Sequence, residues 1–267
     1  MTTADAALAG AGVAGHADAI HLEHVSKRFG PVVALRDVTM TLHRGEVLGL
    51  IGDNGAGKST LIKIVTGFHQ PDGGTMWIDG VEVRLRSVSH ARSLGIETVY
   101  QDLALIPGLS VYHNMFLKRE MVRSPLPFLR NGEMKRRARA YLDEMGVGIR
   151  SVDTEVAKLS GGQRQAIAIA RAVYSQASVL LLDEPLAAMG AREGRLVLDL
   201  IGNLKRRRDL SIIMIAHNYA QVLEVADRIN LLRHGTVSFD KRAADTSVEE
   251  LTDVMVEEYR RSRQSAR

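Results

Sequence analysis

The sequence predicts an α/β fold: a mostly parallel, covered sheet with a helical insertion between its halves. Three observations carry this. Short apolar runs recur at residues 47–51, 179–182, 211–215 and 228–232, separated by stretches of helical texture. Runs without polar alternation suit strands buried on both faces. Next, the run Val47-Leu48-Gly49-Leu50-Ile51 leads at once into a glycine-rich turn and a helix-like stretch at 60–67. Finally, residues 102 to about 158 become rich in Leu, Met, Arg and Glu and are broken by Pro107, Pro125 and Pro127, the texture of helices inserted into a sheet core.

The elements follow in order. Residues 1–17 are Ala/Gly-rich and light in bulk, and are expected to form a disordered tail before a single domain spanning 18–257. Alternation begins with Ile20, Leu22 and His24 and resumes with Val38, Met40 and Leu42. Turns at Pro71-Asp72-Gly73-Gly74 and Asp79-Gly80 flank a hairpin strand at 75–78. Residues 95–100 read as a strand, 192–207 and 219–226 as helices. Ser247-Val248-Glu249-Glu250 is a capping-box start for a last helix, with a charged C-terminal tail expected at 258–267.

Composition removes several function classes. With 267 residues, 45% apolar and 25% charged, the chain has length for one sizeable domain or two small ones, and the balance of an ordinary globular protein. It has no cysteine, which excludes disulfides, thiolate zinc sites and a cysteine nucleophile. The first Lys or Arg is Lys27, so a basic leader is not expected. No apolar run approaches the roughly 18 residues that span a bilayer, so a membrane role must pass through a partner. The net charge is +4 and the pI about 9.4. The basic runs at 135–139 and 205–208 lie among Leu, Met and Ala, as solvated helix faces do, and no aromatics interleave them, so no nucleic-acid partner is expected.

The chemistry starts at Gly52-Asp53-Asn54-Gly55-Ala56-Gly57-Lys58-Ser59, which fits G-x-x-x-x-G-K-[ST] and is followed by Thr60. Successive backbone N–H groups in such a loop, backed by a helix N-terminus, cradle a polyphosphate. Lys58 would reach the β- and γ-phosphates and the Ser59 hydroxyl would ligate Mg²⁺. Residues 179–184 end an apolar strand in two carboxylates: Asp183 suits magnesium support through water, and Glu184 suits a general base for an attacking water. A surface carboxylate before Pro185 is the plainer reading of Glu184, and the neighbouring phosphate loop favours catalysis.

Leu159-Ser160-Gly161-Gly162-Gln163-Arg164-Gln165 narrows the choice. Ser160 reads as an N-cap and the two glycines as open amides at a helix start, but a cap explains only Ser-Gly-Gly. The whole string resembles the signature motif of ABC-type ATPases, and the likeness extends from about Ile20 to Leu251 with the motifs in family order. The resemblance implies a P-loop NTPase core with an antiparallel β subdomain and a helical subdomain inserted over about 102–176. It further implies ATP and Mg²⁺ as cofactors. Ser160, Gly161, Gly162 and Gln163 would close over the γ-phosphate held by a second ATPase subunit, most simply another copy of this chain.

By the same resemblance, Gln101 is similar to the glutamine that touches Mg²⁺ or the attacking water, and His217 to the switch histidine on the γ-phosphate. Phe29 resembles the aromatic that stacks on adenine; it equally fits an aromatic packing on the sheet near a turn. Strings at 51–55, 95–105 and 224–229 are similar to sugar-import ATPases in their shorter, single-domain form. The implied partners are transmembrane permease subunits and, indirectly, an extracytoplasmic solute-binding protein, with the chain peripheral on the cytoplasmic face of the membrane. Residues 103–117 carry an apolar excess that fits either a permease-binding groove or an ordinary helical core. Two departures stand out: Leu186 where most members have Thr, and Gly190 where the common pattern has the Asp that couples the two sites. The competing functions are a mechanical ABC ATPase acting on DNA or ribosomes, and a nucleotide-binding regulator without turnover. Intact Lys58, Asp183, Glu184 and His217 argue against the second.

Overall fold

Successive residues of the central strands feed two apolar layers. In β3 (Val47–Ile51), Val47 and Ile51 join one core cluster while Leu48 and Leu50 join the other. The same division holds in β7 (Val179–Asp183), with Leu180 and Leu182 against Val179 and Leu181. In β8 (Ser211–Ile215) it sets Ile212 and Met214 against Ile213 and Ile215. Strands apolar on both sides must be covered on both sides, which is why they read as unbroken runs. The computed structural model describes residues 18–265 apart from 124, 126 and 127; the tail expected at 1–17 lies outside the described residues, as does Pro127.

The strand order is β5-β4-β1-β2-β10-β9-β3-β8-β7-β6. On one side, β1 (Ile20–Phe29) pairs antiparallel with β2 (Val32–Leu42) and β4 (Gly73–Ile78), and β5 (Val81–Glu82) closes the edge. On the other, β9 (Arg228–Arg233), β3, β8, β7 and β6 (Ile96–Val99) run parallel. Between them lies β10 (Thr236–Arg242), antiparallel to β9 and joined to β2 by the pair Thr236–Asp37. Arg228 secures this junction: its Nε donates to Glu46 Oε1 at 2.8 Å and its Nη1 to Asp240 Oδ2 at 2.7 Å.

The sheet carries α1 (Lys58–Val65), α2 (Val88–Ser93), α6 (Ala191–Arg207) and α7 (Tyr219–Val225). Between β6 and β7 come α3 (Val111–Phe116), α4 (Asn131–Glu144) and α5 (Gly161–Tyr174). The last helix, α8 (Val248–Ser265), runs on through most of the segment expected as a charged tail. Among the described residues no helix is long and apolar enough to cross a membrane.

The insertion is less helical than its composition suggests. Residues 102–110 form an irregular loop because a buried polar side chain organises them. Asn114, on α3 and with no exposed surface, accepts from Ile106 N at 2.8 Å and donates to the carbonyls of Ile106, Leu109 and Ser110 at 3.1–3.2 Å. Asn114→Leu keeps a similar volume but removes all four bonds: the carbonyls of Ile106, Leu109 and Ser110 keep a backbone donor each, while the Ile106 N–H loses its partner at a cost of about 1–3 kcal/mol. We expect its thermal midpoint to fall by several degrees; an unchanged midpoint would show that the loop is not held this way.

Candidate nucleotide site

The phosphate loop follows β3 and turns sharply into α1. Gly52 (φ +148) lies so close to β9 that a Cβ would sit 2.1 Å from Leu232 O, and at Gly57 (φ +108) one would sit 2.6 Å from Ala34 O. Both positions therefore require glycine. Gly57 caps α1 without a side-chain bond, and the first turn has no acidic residue, which leaves the helix N-terminus to an anion. The helix begins at Lys58, two residues ahead of the sequence expectation, so Lys58, Ser59 and Thr60 all lie in its first turn. Lys58 is only 6% exposed; its Nζ donates to Gly52 O at 2.6 Å and Asp53 O at 3.0 Å. Burial pulls its pKa below the usual lysine value, against the opposing pull of Glu184, Asp53 and Asp183.

β3, β8, β7 and β6 are parallel neighbours, so the segments that follow them leave one edge of the sheet. Ligands of open α/β sheets bind at this carboxyl edge. The edge presents the loop 52–57 after β3, His217 after β8, Asp183 and Glu184 at the end of β7, and Gln101, exposed, after β6. The loop strand and the carboxylate strand are two spacings apart, about 10 Å. His217 Nε2 lies 2.6 Å from Glu184 Oε1. Glu184 has φ +52, rare for a side chain of this size, and its N–H donates to Ile215 O at 3.0 Å, locking the turn onto the end of β8. Strain of this kind gathers where a side chain must be aimed.

Burial raises the Asp183 carboxyl above the ordinary carboxylate range, and neighbouring Glu184 adds to this while Lys58, Lys63 and His217 oppose it. The folded pKa thus exceeds the unfolded one, so the carboxylate's cost to folding is absent below about pH 3.9, grows as pH rises through the raised value and is complete above it. We expect Asp183→Asn to raise the nucleotide-free thermal midpoint at pH 7, with the gain shrinking as pH falls toward 4. A gain independent of pH would reject this origin.

Ser160, Gly161, Gly162 and Gln163 open α5. Ser160 Oγ accepts from Gln163 N at 3.3 Å and Gln163 Oε1 accepts from Ser160 N at 3.2 Å, a reciprocal capping box. The glycines admit α6: a Cβ on Gly162 would meet Glu193 O at 2.9 Å, and Gly161 N donates to Glu193 Oε1 at 3.0 Å. Glu193 was not legible as a site residue, since its partner lies 32 positions away. Phe29, 42% exposed at the end of β1, meets His69 edge-on with centroids 5.2 Å apart. Lys27 Nζ lies over the ring, 5.6 Å from its centroid, and the exposed remainder faces the surface.

The ABC transporter family profile matches residues 35–187. The chain belongs to the ABC transporter family. It is an ABC-type ATPase, with ATP as its substrate. It is 49% identical to the xylose/arabinose import ATP-binding protein of Sulfolobus acidocaldarius over 89% of this chain and 94% of that one. It is also 47% identical to the fructose import ATP-binding protein of Rhizobium meliloti over 78% and 82% of the two chains. Its fold resembles that of an ATP-binding cassette solved as a post-hydrolysis dimer with ADP and Pi, at TM-score 0.70 and 24% identity, covering 84% of this chain and 98% of that one.

Within this ABC fold the two departures have different physical grounds. Leu186 is 8% exposed and packs in the helical-side core, where a methyl-rich side chain replaces a hydroxyl that would need a partner. Gly190 is not required by space: a Cβ there meets nothing within 4 Å, and its φ is −69°. As the N-cap of α6 it supplies no side-chain bond. Gly190→Asp should therefore stabilise the fold by roughly a few tenths of a kcal/mol through capping, read as a small rise in thermal midpoint. A fall would place an unfavourable charge contact at this turn.

Proposed function

We propose that the chain is the ATP-hydrolysing subunit of an importer for a monosaccharide-like solute, working as a pair of copies that drive membrane permease subunits. The single observation that carries the hydrolytic half is the convergence of the phosphate loop, Asp183 and the Glu184–His217 pair on one sheet edge. The import half is supported by the named roles of relatives at 49% and 47% identity.

In this reading the backbone amides of 52–57 and the start of α1 bind the β-phosphate, and Lys58 leaves its loop carbonyls for the β- and γ-oxygens. Phe29 lies under the adenine. Ser59, Asp183 and Gln101 offer hydroxyl, carboxylate and amide oxygens, the hard donors that Mg²⁺ takes, and the half-buried Asp183, whose charge burial disfavours, fits a place that a cation completes. Bound there, Mg²⁺ would neutralise charge on the phosphates. Glu184 accepts the proton of a water as its oxygen attacks the γ-phosphorus and ADP departs, while His217 holds the Glu184 carboxylate and faces the γ-phosphate.

The γ-phosphate is also read from the second copy. Ser160 accepts from Gln163 N, so its hydroxyl proton remains free to donate, and the Gly162 amide stands beside it. These contacts exist only while the γ-phosphate is present, so hydrolysis removes what holds the pair closed. The groove between sheet and insertion, about 240 Å³ and lined by Glu97, Ala104, Met115, Leu117, Arg119 and Arg171, is the proposed seat of a permease helix.

The test is solute uptake by cells in which the chain carries Glu184→Gln. Loss of uptake of at least one labelled pentose or hexose is expected. Full uptake of every sugar by cells whose purified variant has lost turnover would reject sugar import and leave the ATPase intact.

A further inference from the structure

The loop that follows Gln101 is held from the far end of the signature helix. Arg171 lies in the last turn of α5, eleven positions beyond Ser160, and its guanidinium forks onto two successive carbonyls: Nη2 donates to Leu103 O and Nη1 to Ala104 O, both at 2.9 Å. Leu103 and Leu105 pack against the core on either side of Ala104, and the polar bonds that fix the backbone between them are few. Ala104 has φ +47, a conformation disfavoured for residues with a Cβ, and its N–H donates to Asp102 Oδ1 at a long 3.3 Å. The Asn114 bonds begin only at Ile106. Burial of Arg171 weakens its hold on its proton, with Glu97 opposing that effect. A desolvated guanidinium spending two donors on a loop of unfavourable geometry must be offsetting the cost of that geometry.

We propose that Arg171 is a positioning residue for Gln101: by fixing the carbonyls of Leu103 and Ala104 to α5, it sets the loop so that Gln101 reaches the metal-and-water side of the bound triphosphate. This rests on the assignment of Gln101 made above. The same side chain and Ala104 both line the groove between sheet and insertion, so an occupant of that groove touches the fork directly. Arg171 therefore joins three things by contact: the signature helix that carries it, the loop of Gln101, and the docking groove. Such outer partners of a metal-facing group typically carry 10- to 100-fold effects.

The experiment measures ATP turnover, its Mg²⁺ dependence and ATP-analogue binding for the full chain as wild type, Arg171→Gln, Arg171→Lys, Gln101→Ala and the Arg171→Gln/Gln101→Ala double variant. We expect Arg171→Gln to lower kcat about tenfold and raise the Mg²⁺ needed for half-maximal rate, with analogue affinity within about twofold of wild type. The double variant should be no slower than Gln101→Ala alone, since one residue acts through the other. Arg171→Lys, whose ammonium cannot span both carbonyls in the same fork, should fall between wild type and Arg171→Gln. Multiplying losses in the double variant, or an unchanged kcat and Mg²⁺ dependence in Arg171→Gln, would overturn the proposal. If Arg171→Gln loses its fold by thermal midpoint, Arg171→Lys decides: wild-type kcat in that variant overturns it. Wild-type turnover in Gln101→Ala would sink the Gln101 assignment itself, a result distinct from a Gln101 defect that Arg171 does not share.

Discussion

Replacing Glu184 with Gln should lower kcat by about 100- to 10,000-fold while leaving ATP binding at wild-type strength or tighter. The substitution keeps the size of the side chain and the backbone, so the turn at φ +52 and its bond to Ile215 O persist. The amide oxygen can still accept from His217 Nε2, now 2.6 Å from Glu184 Oε1, so the pair stays aligned. What is lost is a site for the proton that an attacking water must shed. Binding should not suffer, because removing a carboxylate from an edge that already holds Asp53 and Asp183 lowers repulsion toward a triphosphate. The neighbouring Asp183 should also ionise more readily, since the charge of Glu184 is one of the causes that raise its pKa. With turnover blocked, Mg²⁺ and ATP should hold the chain at the mass of a pair in gel filtration, because the γ-phosphate that joins the copies is no longer consumed. Unchanged phosphate release would reject the general-base role. A variant that binds ATP but stays single at high concentration would reject the paired arrangement.

The parts of the fold that could be read in advance are those where one physical demand dominates. β3, β7 and β8 are buried on both faces, so nearly every position in them is apolar, and the run is visible without neighbours. The phosphate loop is visible because Gly52 and Gly57 have no substitute where Leu232 O and Ala34 O press in. β10 was not visible: Thr236-Val237-Ser238-Phe239-Asp240-Lys241-Arg242 is largely exposed and charged, and becomes a strand through its ladder with β9. The loop at 102–110 was hidden for another reason: Leu103, Ala104, Leu105 and Ile106 suit a helix, while Pro107-Gly108 and the buried Asn114 hold the segment open. In the site, the residue types at the strand ends were legible, but their partners were not. Glu193 meets Gly161, and Arg171 meets Leu103 and Ala104, across 32, 68 and 67 positions of chain. No local pattern marks such contacts, because they arise from packing α5 against α6 and against the loop after β6.

Lys58→Met should abolish measurable ATP binding at concentrations that saturate wild type, a loss of about 100- to 10,000-fold. Hydrogen bonds from a charged donor are worth about 1.5–3 kcal/mol each, the ammonium would make one to each of two phosphates, and each 1.4 kcal/mol is tenfold. Met keeps the apolar stem against its buried surroundings, so the variant tests the charge rather than the packing. The nucleotide-free protein should respond differently. Lys58 is buried and its pKa is depressed by that burial, so its charge costs folding free energy at every pH below the depressed value, and the cost fades as pH rises toward the unfolded value near 10.4. Against this, removing the ammonium takes a positive neighbour from Asp183 and leaves Gly52 O and Asp53 O without its bonds. These terms oppose one another, so the midpoint at pH 7 should move little while affinity collapses. That separation, binding lost with the fold retained, is what a lysine kept buried for a phosphate predicts. Wild-type affinity in Lys58→Met would remove the phosphate loop from its assigned role, and a parallel collapse of stability would mean that the lysine serves the fold.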